Sequence, residues 1–89
     1  MIIRLCTENK NKQALLDLCA KRFDAFTIYE GIGAWKGVQE SSLTIEIAVL
    51  DEDTRPYEVK ATVLALDIKA LNQQEAVLIE YLESKNELI

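Results

Sequence analysis

The residues with the most capacity for chemistry in this 89-residue chain lie together between Thr27 and Glu40. All three glycines, Gly31, Gly33 and Gly37, fall there, with the only tryptophan, Trp35, and with Lys36 and Glu40. Glycine loses more backbone freedom on folding than any other residue, so their clustering predicts unusual backbone geometry at this place. Successive amides around glycines can curl into an anion-binding nest, to which Lys36 adds charge. Glu40, beside Gln39, Ser41 and Ser42, can accept from a ligand hydroxyl or amine, or pair structurally with Arg22 or Arg55. The candidate ligand-binding set is therefore Gly31, Gly33, Trp35, Lys36, Gly37 and Glu40, closing over a small anionic or polar metabolite. The plain alternative is a flexible hairpin connection, with Trp35 anchored on the core or on a neighbour.

Other chemistries are harder to build. With no histidine, the chain lacks the commonest general base near neutral pH and the commonest transition-metal ligand. Ser-His-Asp and Cys-His nucleophilic sites are thereby excluded within one chain. Cys6 and Cys19, thirteen residues apart, make no zinc site and read as reduced, buried small hydrophobes. The run Asp51-Glu52-Asp53 lacks the glycine and distal glutamate of a calcium loop and reads as a solvated turn. Gly31-x-Gly33 is part of a dinucleotide fingerprint, but strand-like sequence follows it where a Rossmann fold needs a helix. Tyr29, Tyr57 and Tyr81 can each donate at a pocket or serve as core aromatics. No catalytic, metal-binding or cofactor-binding residues are assigned.

Composition narrows the class further. Ten basic against fifteen acidic residues give a net charge of −5 and no basic run, which argues against a nucleic-acid partner. The apolar start Met1 to Leu5 meets charge by Glu8, too soon for a signal peptide or a membrane span. A cytoplasmic location without membrane association is expected. Residues 1–89 read as a single domain, marginal at this size unless it packs well or self-associates.

The elements that must position the cluster follow from periodicity. Residues 1–6 read as a strand, and Asn9 or Asn11 as the cap of a helix over 12–22, with Ala14, Leu15, Leu18 and Cys19 on one face. Residues 26–30 read as a second strand entering a glycine loop. Across 42–50, Leu43, Ile45, Ile47 and Val49 alternate with Thr44, Glu46 and Ala48, the pattern of a half-buried strand. Asp53 or Thr54 caps a second helix, with Pro56 in its first turn and its end near Asn72. Val59, Val63, Leu66 and Ala70, at spacings of four, three and four, form one apolar face of it. Residues 75–82 read as a last strand, apolar on both faces and so central or covered by a partner. The order βαββαβ predicts an α+β, ferredoxin-like fold, two helices on one face of a four-stranded antiparallel sheet. Its open face, with the tail Glu87-Leu88-Ile89, is expected to pack in a homo-oligomer, a dimer or trimer.

The segment from Arg22-Phe23 through Gly31-Ile32-Gly33-Ala34-Trp35-Lys36-Gly37 to Glu40-Ser41, with Thr44 to Ile47 and Gln74 to Val77, resembles a small bacterial family of unknown function. That resemblance implies no activity. The strand order and the long connection between the second and third strands also resemble the PII and CutA group of trimeric ferredoxin-like proteins. This second resemblance implies nucleotide binding in clefts between subunits. Together these readings favour a non-catalytic, homo-oligomeric ligand-binding or regulatory protein. The alternatives are a phage- or mobile-element-derived accessory factor, and a small enzyme using Tyr or Glu.

Overall fold

A computed structural model describes residues 1–83, apart from the side chain of Trp35. The elements run β1 (Ile2–Glu8), α1 (Lys12–Arg22), β2 (Thr27–Trp35), β3 (Val38–Ala48), α2 (Arg55–Asn72) and β4 (Leu78–Leu82). The strands form one antiparallel sheet in the order β2-β3-β1-β4, the ferredoxin-like arrangement. Alternation explains the layering. Ile3 and Leu5 on β1, and Leu43, Ile45 and Ile47 on β3, point to one side and are buried against Leu15 and Cys19 of α1 and Leu64 and Ile68 of α2. Each such fully buried aliphatic side chain contributes roughly 2 kcal/mol through removal from water. Among the described residues no helix is long and apolar enough to cross a membrane.

The glycine segment is not a loop. β2 runs straight through Gly31 and Gly33, and the connection to β3 is only Lys36 and Gly37, with φ of 50° and 80°. Two consecutive positive φ values mark a tight hairpin turn whose twist matches that of the flanking strands. Of the three glycines only Gly37 has a positive φ. A Cβ on Gly31 would meet Ser42 Oγ at 3.5 Å, and one on Gly33 would meet nothing nearer than 3.9 Å, so neither is demanded by backbone crowding.

Three further expectations change. α2 has the expected extent but turns a different face inward: Ala61, Leu64, Ala65 and Ile68 are buried, whereas Val59 is 64% and Leu66 61% exposed. The helix carries two apolar stripes on opposite sides, and periodicity alone cannot tell which one meets the sheet. β4 begins at Leu78 and is an edge strand bonded to β1 only, with Leu78 and Tyr81 exposed. Asn11 stands at the start of α1 in the left-handed region without capping it; its side-chain amide instead donates to Asn72 Oδ1 at 3.0 Å. At α2, Thr54 occupies the cap position, while Asp53 Oδ1 accepts from the Arg55 amide at 3.3 Å. The tail expected to add a strand, Glu87-Leu88-Ile89, lies outside the described residues.

Candidate functional site

The sheet face opposite the helices has no covering layer among the described residues. Strand register assigns to it Arg4, Cys6 and Glu8 of β1, Tyr29, Gly31 and Gly33 of β2, Glu40, Ser42 and Glu46 of β3, and Leu78 and Glu80 of β4. At one end of this face lies a groove of about 540 Å³. Two local features open it. β4 pairs with β1 only as far as Cys6, so beside Glu8 the sheet lacks its fourth strand and the chain leading out of α2 passes there instead. On the other side Gly33 leaves β2 bare opposite Glu40. Cys6, Gly33, Ser42 and Leu78 line the groove, and Gln74 to Ala76 form its outer wall.

That wall is held by a buried polar network. Thr7 and Asn72 are each 5% exposed, although both occupy core phases of otherwise apolar patterns. The Thr7 hydroxyl donates to Gln74 Oε1 at 2.6 Å, and Asn72 Nδ2 donates to the same oxygen at 2.9 Å. Gln74 Nε2 in turn donates to the Ala76 carbonyl at 2.6 Å. Gln73, at φ 53°, ends α2 and turns the chain into this network. Buried polar groups satisfied in this way fix one conformation, because breaking any member leaves another unpaired.

The electrostatic character of the groove is acidic. Glu8, Glu40 and Glu75 line it, and among the described residues no Lys or Arg does. Lys10 lies in an adjoining hollow of about 360 Å³ that shares Glu8 and Glu40. Its ammonium pairs with Glu8 Oε2 at 2.8 Å, an ionic contact without aligned hydrogen-bond geometry. Among the described residues no group of three or more Cys, Asp or Glu side chains is arranged to hold a metal ion.

A second cluster sits nearer the middle of the open face. Glu46 accepts from the Tyr29 hydroxyl at 2.5 Å and from Arg4 Nε at 3.1 Å. The Tyr29 bond, with that of Arg4, holds the Glu46 carboxyl below its ordinary range, and the same carboxylate raises the Tyr29 hydroxyl. The Tyr57 hydroxyl likewise donates to Asp51 and is raised by it. Burial pushes the Cys19 thiol up to about 11, which makes it unreactive near neutral pH.

The structure divides the residues singled out by the sequence. Gly33 and Glu40 line the groove, and Gly31 lies on the same face two ladder pairs away, opposite Ser42. Lys36 and Gly37 form the hairpin turn outside the lining, and Trp35 ends β2 with its side chain outside what is described. Glu40 pairs with neither suggested arginine: Arg22 bonds Asp67, and Arg55 bonds Asp53 at 3.1 Å. Sequence reasoning missed Cys6, Glu8, Ser42, Gln74 and Glu75. One signal was present, namely polar Thr7 and Asn72 in apolar phases, which marks a buried hydrogen-bonded junction.

No protein-family model matches the chain, and no curated protein sequence matches it. Similar solved structures include a phage SAM lyase in complex with S-methyl-5′-thioadenosine, with a TM-score of 0.60 and 17% identity over 88% of this chain and 76% of that one. The same kind of enzyme in its apo state gives 0.61 and 18%, over 88% and 75%. A de novo designed protein, Foldit4, gives 0.52 and 15%, covering 94% of both chains. At these identities the likeness is one of fold.

Proposed function

We propose that this protein binds a small, cationic, polar metabolite in the acidic groove at the end of the open sheet face. The ligand class favoured is a nucleoside carrying a sulfonium or amine. The single observation that carries the reading is a groove of about 540 Å³ whose charged lining residues, among the described residues, are Glu8, Glu40 and Glu75. That volume suits a drug-sized ligand. Carboxylates attract a cation and repel a phosphate, so the lining favours the polar, cation-bearing half of the expected ligand range over the anionic half. Support for the nucleoside comes from the phage SAM lyase of similar fold, whose structure holds S-methyl-5′-thioadenosine.

On this reading Glu8 and Glu40 neutralise the ligand's positive charge, Ser42 offers a hydroxyl, and Leu78 and the bare β2 backbone at Gly33 supply apolar contact. Binding needs no reacting side chain, in keeping with a regulatory or accessory role in a phage or other mobile element. The phage SAM lyase of similar fold supports a second reading, in which one C–S bond of the bound sulfonium breaks by elimination, the electron pair leaving with the sulfur as a neutral thioether and a proton leaving the carbon fragment.

Thermal shift and calorimetric titration with S-adenosylmethionine, S-methyl-5′-thioadenosine and ATP test the proposal. S-adenosylmethionine is expected to stabilise the protein by about 2.7 kcal/mol at a hundredfold excess over its dissociation constant, with ATP giving no shift. Glu40→Gln and Glu8→Gln should each weaken binding about tenfold, as loss of a charge-assisted contact does. Absence of any response to the sulfonium, or a stronger response to ATP, overturns the reading. Appearance of a thioether nucleoside in the same sample selects the catalytic version.

A further inference from the structure

The outer stripe of α2 goes unused by the fold. Val59, Val63 and Leu66 are 64%, 38% and 61% exposed, and Ala70 continues the row at the same helical phase. It lies on the opposite side of the helix from Leu64 and Ile68, and so on the opposite side of the molecule from the groove. We infer that this stripe is the seat of a two-fold, antiparallel pairing of α2 with α2 of a second copy of this chain.

The charge pattern beside the stripe is complementary to itself and selects a second copy. Lys60 and Asp67, seven residues apart, run along one flank, and Glu58 and Lys69, eleven apart, run along the other. In an antiparallel helix pair each flank faces the same flank of its partner, and residues equidistant from the axis meet. An axis crossing between residues 63 and 64 therefore sets Lys60 opposite Asp67 of the second copy. The same axis sets Glu58 opposite Lys69. Opposite charges meet at all four places, because the two-fold repeats each pair.

The apolar row fits the same axis. Position 59 of one helix falls opposite position 68, between Leu66 and Ala70 of the other, and Leu66 falls between Val59 and Val63. Knobs enter holes without a shift of register. Among the described residues nothing covers Val59, Val63 or Leu66. Asp67 already accepts from Arg22 of α1, Glu58 accepts from the Thr54 hydroxyl at 3.2 Å, and a carboxylate has capacity for a further donor. Lys60 rests over the Tyr57 ring, 5.9 Å from its centroid, at the edge of the stripe.

A self-complementary patch is what a closed two-fold dimer requires. One helix seam of about 27 Å is short, and buries less than the roughly 800 Å² per partner of a standard interface. The assembly is therefore read across a concentration series by analytical ultracentrifugation of the full chain, up to about 500 µM, enough to populate a dimer with a dissociation constant in the micromolar range. The wild type is expected to move from monomer to dimer. Leu66→Glu should raise the dissociation constant about tenfold or more, with unchanged circular dichroism because the site is exposed. Glu58→Lys and Lys69→Glu should each weaken the dimer by placing like charges across the seam. The double variant carrying both should recover wild-type association to within about threefold.

Rescue by the double swap depends on the pair across the axis, and a merely destabilised fold would not give it. A wild type that stays monomeric throughout overturns the inference. So does an oligomer indifferent to Leu66→Glu, which would place the contact elsewhere, for example on the open sheet face. A double variant no better than the singles overturns it as well. These variants lie away from the groove, so ligand titration of each separates failure of the dimer from failure of the binding site.

Discussion

Gly33 and Gly37 share a residue type but do different work. Gly37 needs its hydrogen for backbone reasons: at φ +80° a side chain is strained even though nothing lies within 4 Å of the position. Gly37→Ala should cost about 1 kcal/mol in urea unfolding, with no change in ligand affinity. Gly33 sits in ordinary strand geometry, and a side chain there would project toward Glu40 and Ser42 in the groove. Gly33→Val should hold or slightly raise stability, since β-branched residues favour strands, while it abolishes the response to S-adenosylmethionine. An equal loss of stability in the two variants would contradict this division. The clustering of glycines was visible in the sequence. Its meaning was not, because a glycine that bends the chain and a glycine that clears space are the same letter.

At the scale of elements, α2 shows where periodicity stops being informative. Val59, Val63, Leu66 and Ala70 repeat as regularly as Ala61, Leu64, Ala65 and Ile68, yet only the second set is buried. The sheet selected the second set, which brings Leu64 and Ile68 into the buried cluster with Ile3 and Leu5. Leu64→Ala should accordingly cost about 2–5 kcal/mol, and Leu66→Ala less than about 0.5 kcal/mol in dilute solution, measured by chemical denaturation. Comparable costs would mean that the phase of the helix is wrong. β4 teaches a related lesson. Its apolar residues on both faces suggested a strand either central or covered by a partner; it is not central but an edge, and its early stop beside Glu8 is what opens the groove. Strand length and neighbours are decided by partners distant in sequence, which a local pattern does not carry.

For the whole molecule, paired carboxylates on the open face, at the α1–β2 contact and before α2 link charge to stability. Glu46, Glu30 and Asp53 are all held below their ordinary values, by Tyr29, Lys12 and Arg55 respectively. A depressed carboxyl contributes stability above its unfolded value, near 4.5 for a glutamate, and loses it as pH falls through the folded value. Tyr29 and Tyr57 are raised, so their contribution is complete below about 10 and is lost as pH rises through their folded values. Denaturation midpoints should therefore fall off on both sides of a neutral plateau. Glu46→Gln should flatten the acid limb and also weaken the alkaline one, because the same carboxylate raises Tyr29. A pH profile unchanged by this substitution would show that the cluster contributes nothing in solution.

Much of the architecture was legible from residue order alone. The alternation of Leu43, Ile45 and Ile47, the helical spacing over 12–22 and the order βαββαβ determine an antiparallel α+β sheet with one face covered. These follow from local periods of two and 3.6, which any stretch of sequence displays by itself. Which stripe of α2 faces inward, where β4 ends, and that Glu8, Glu40 and Glu75 come together beside Gly33 were decided only by the tertiary structure. The carboxylates lie on β1, β3 and the segment before β4, and strand register across the sheet, not spacing along the chain, brings them together.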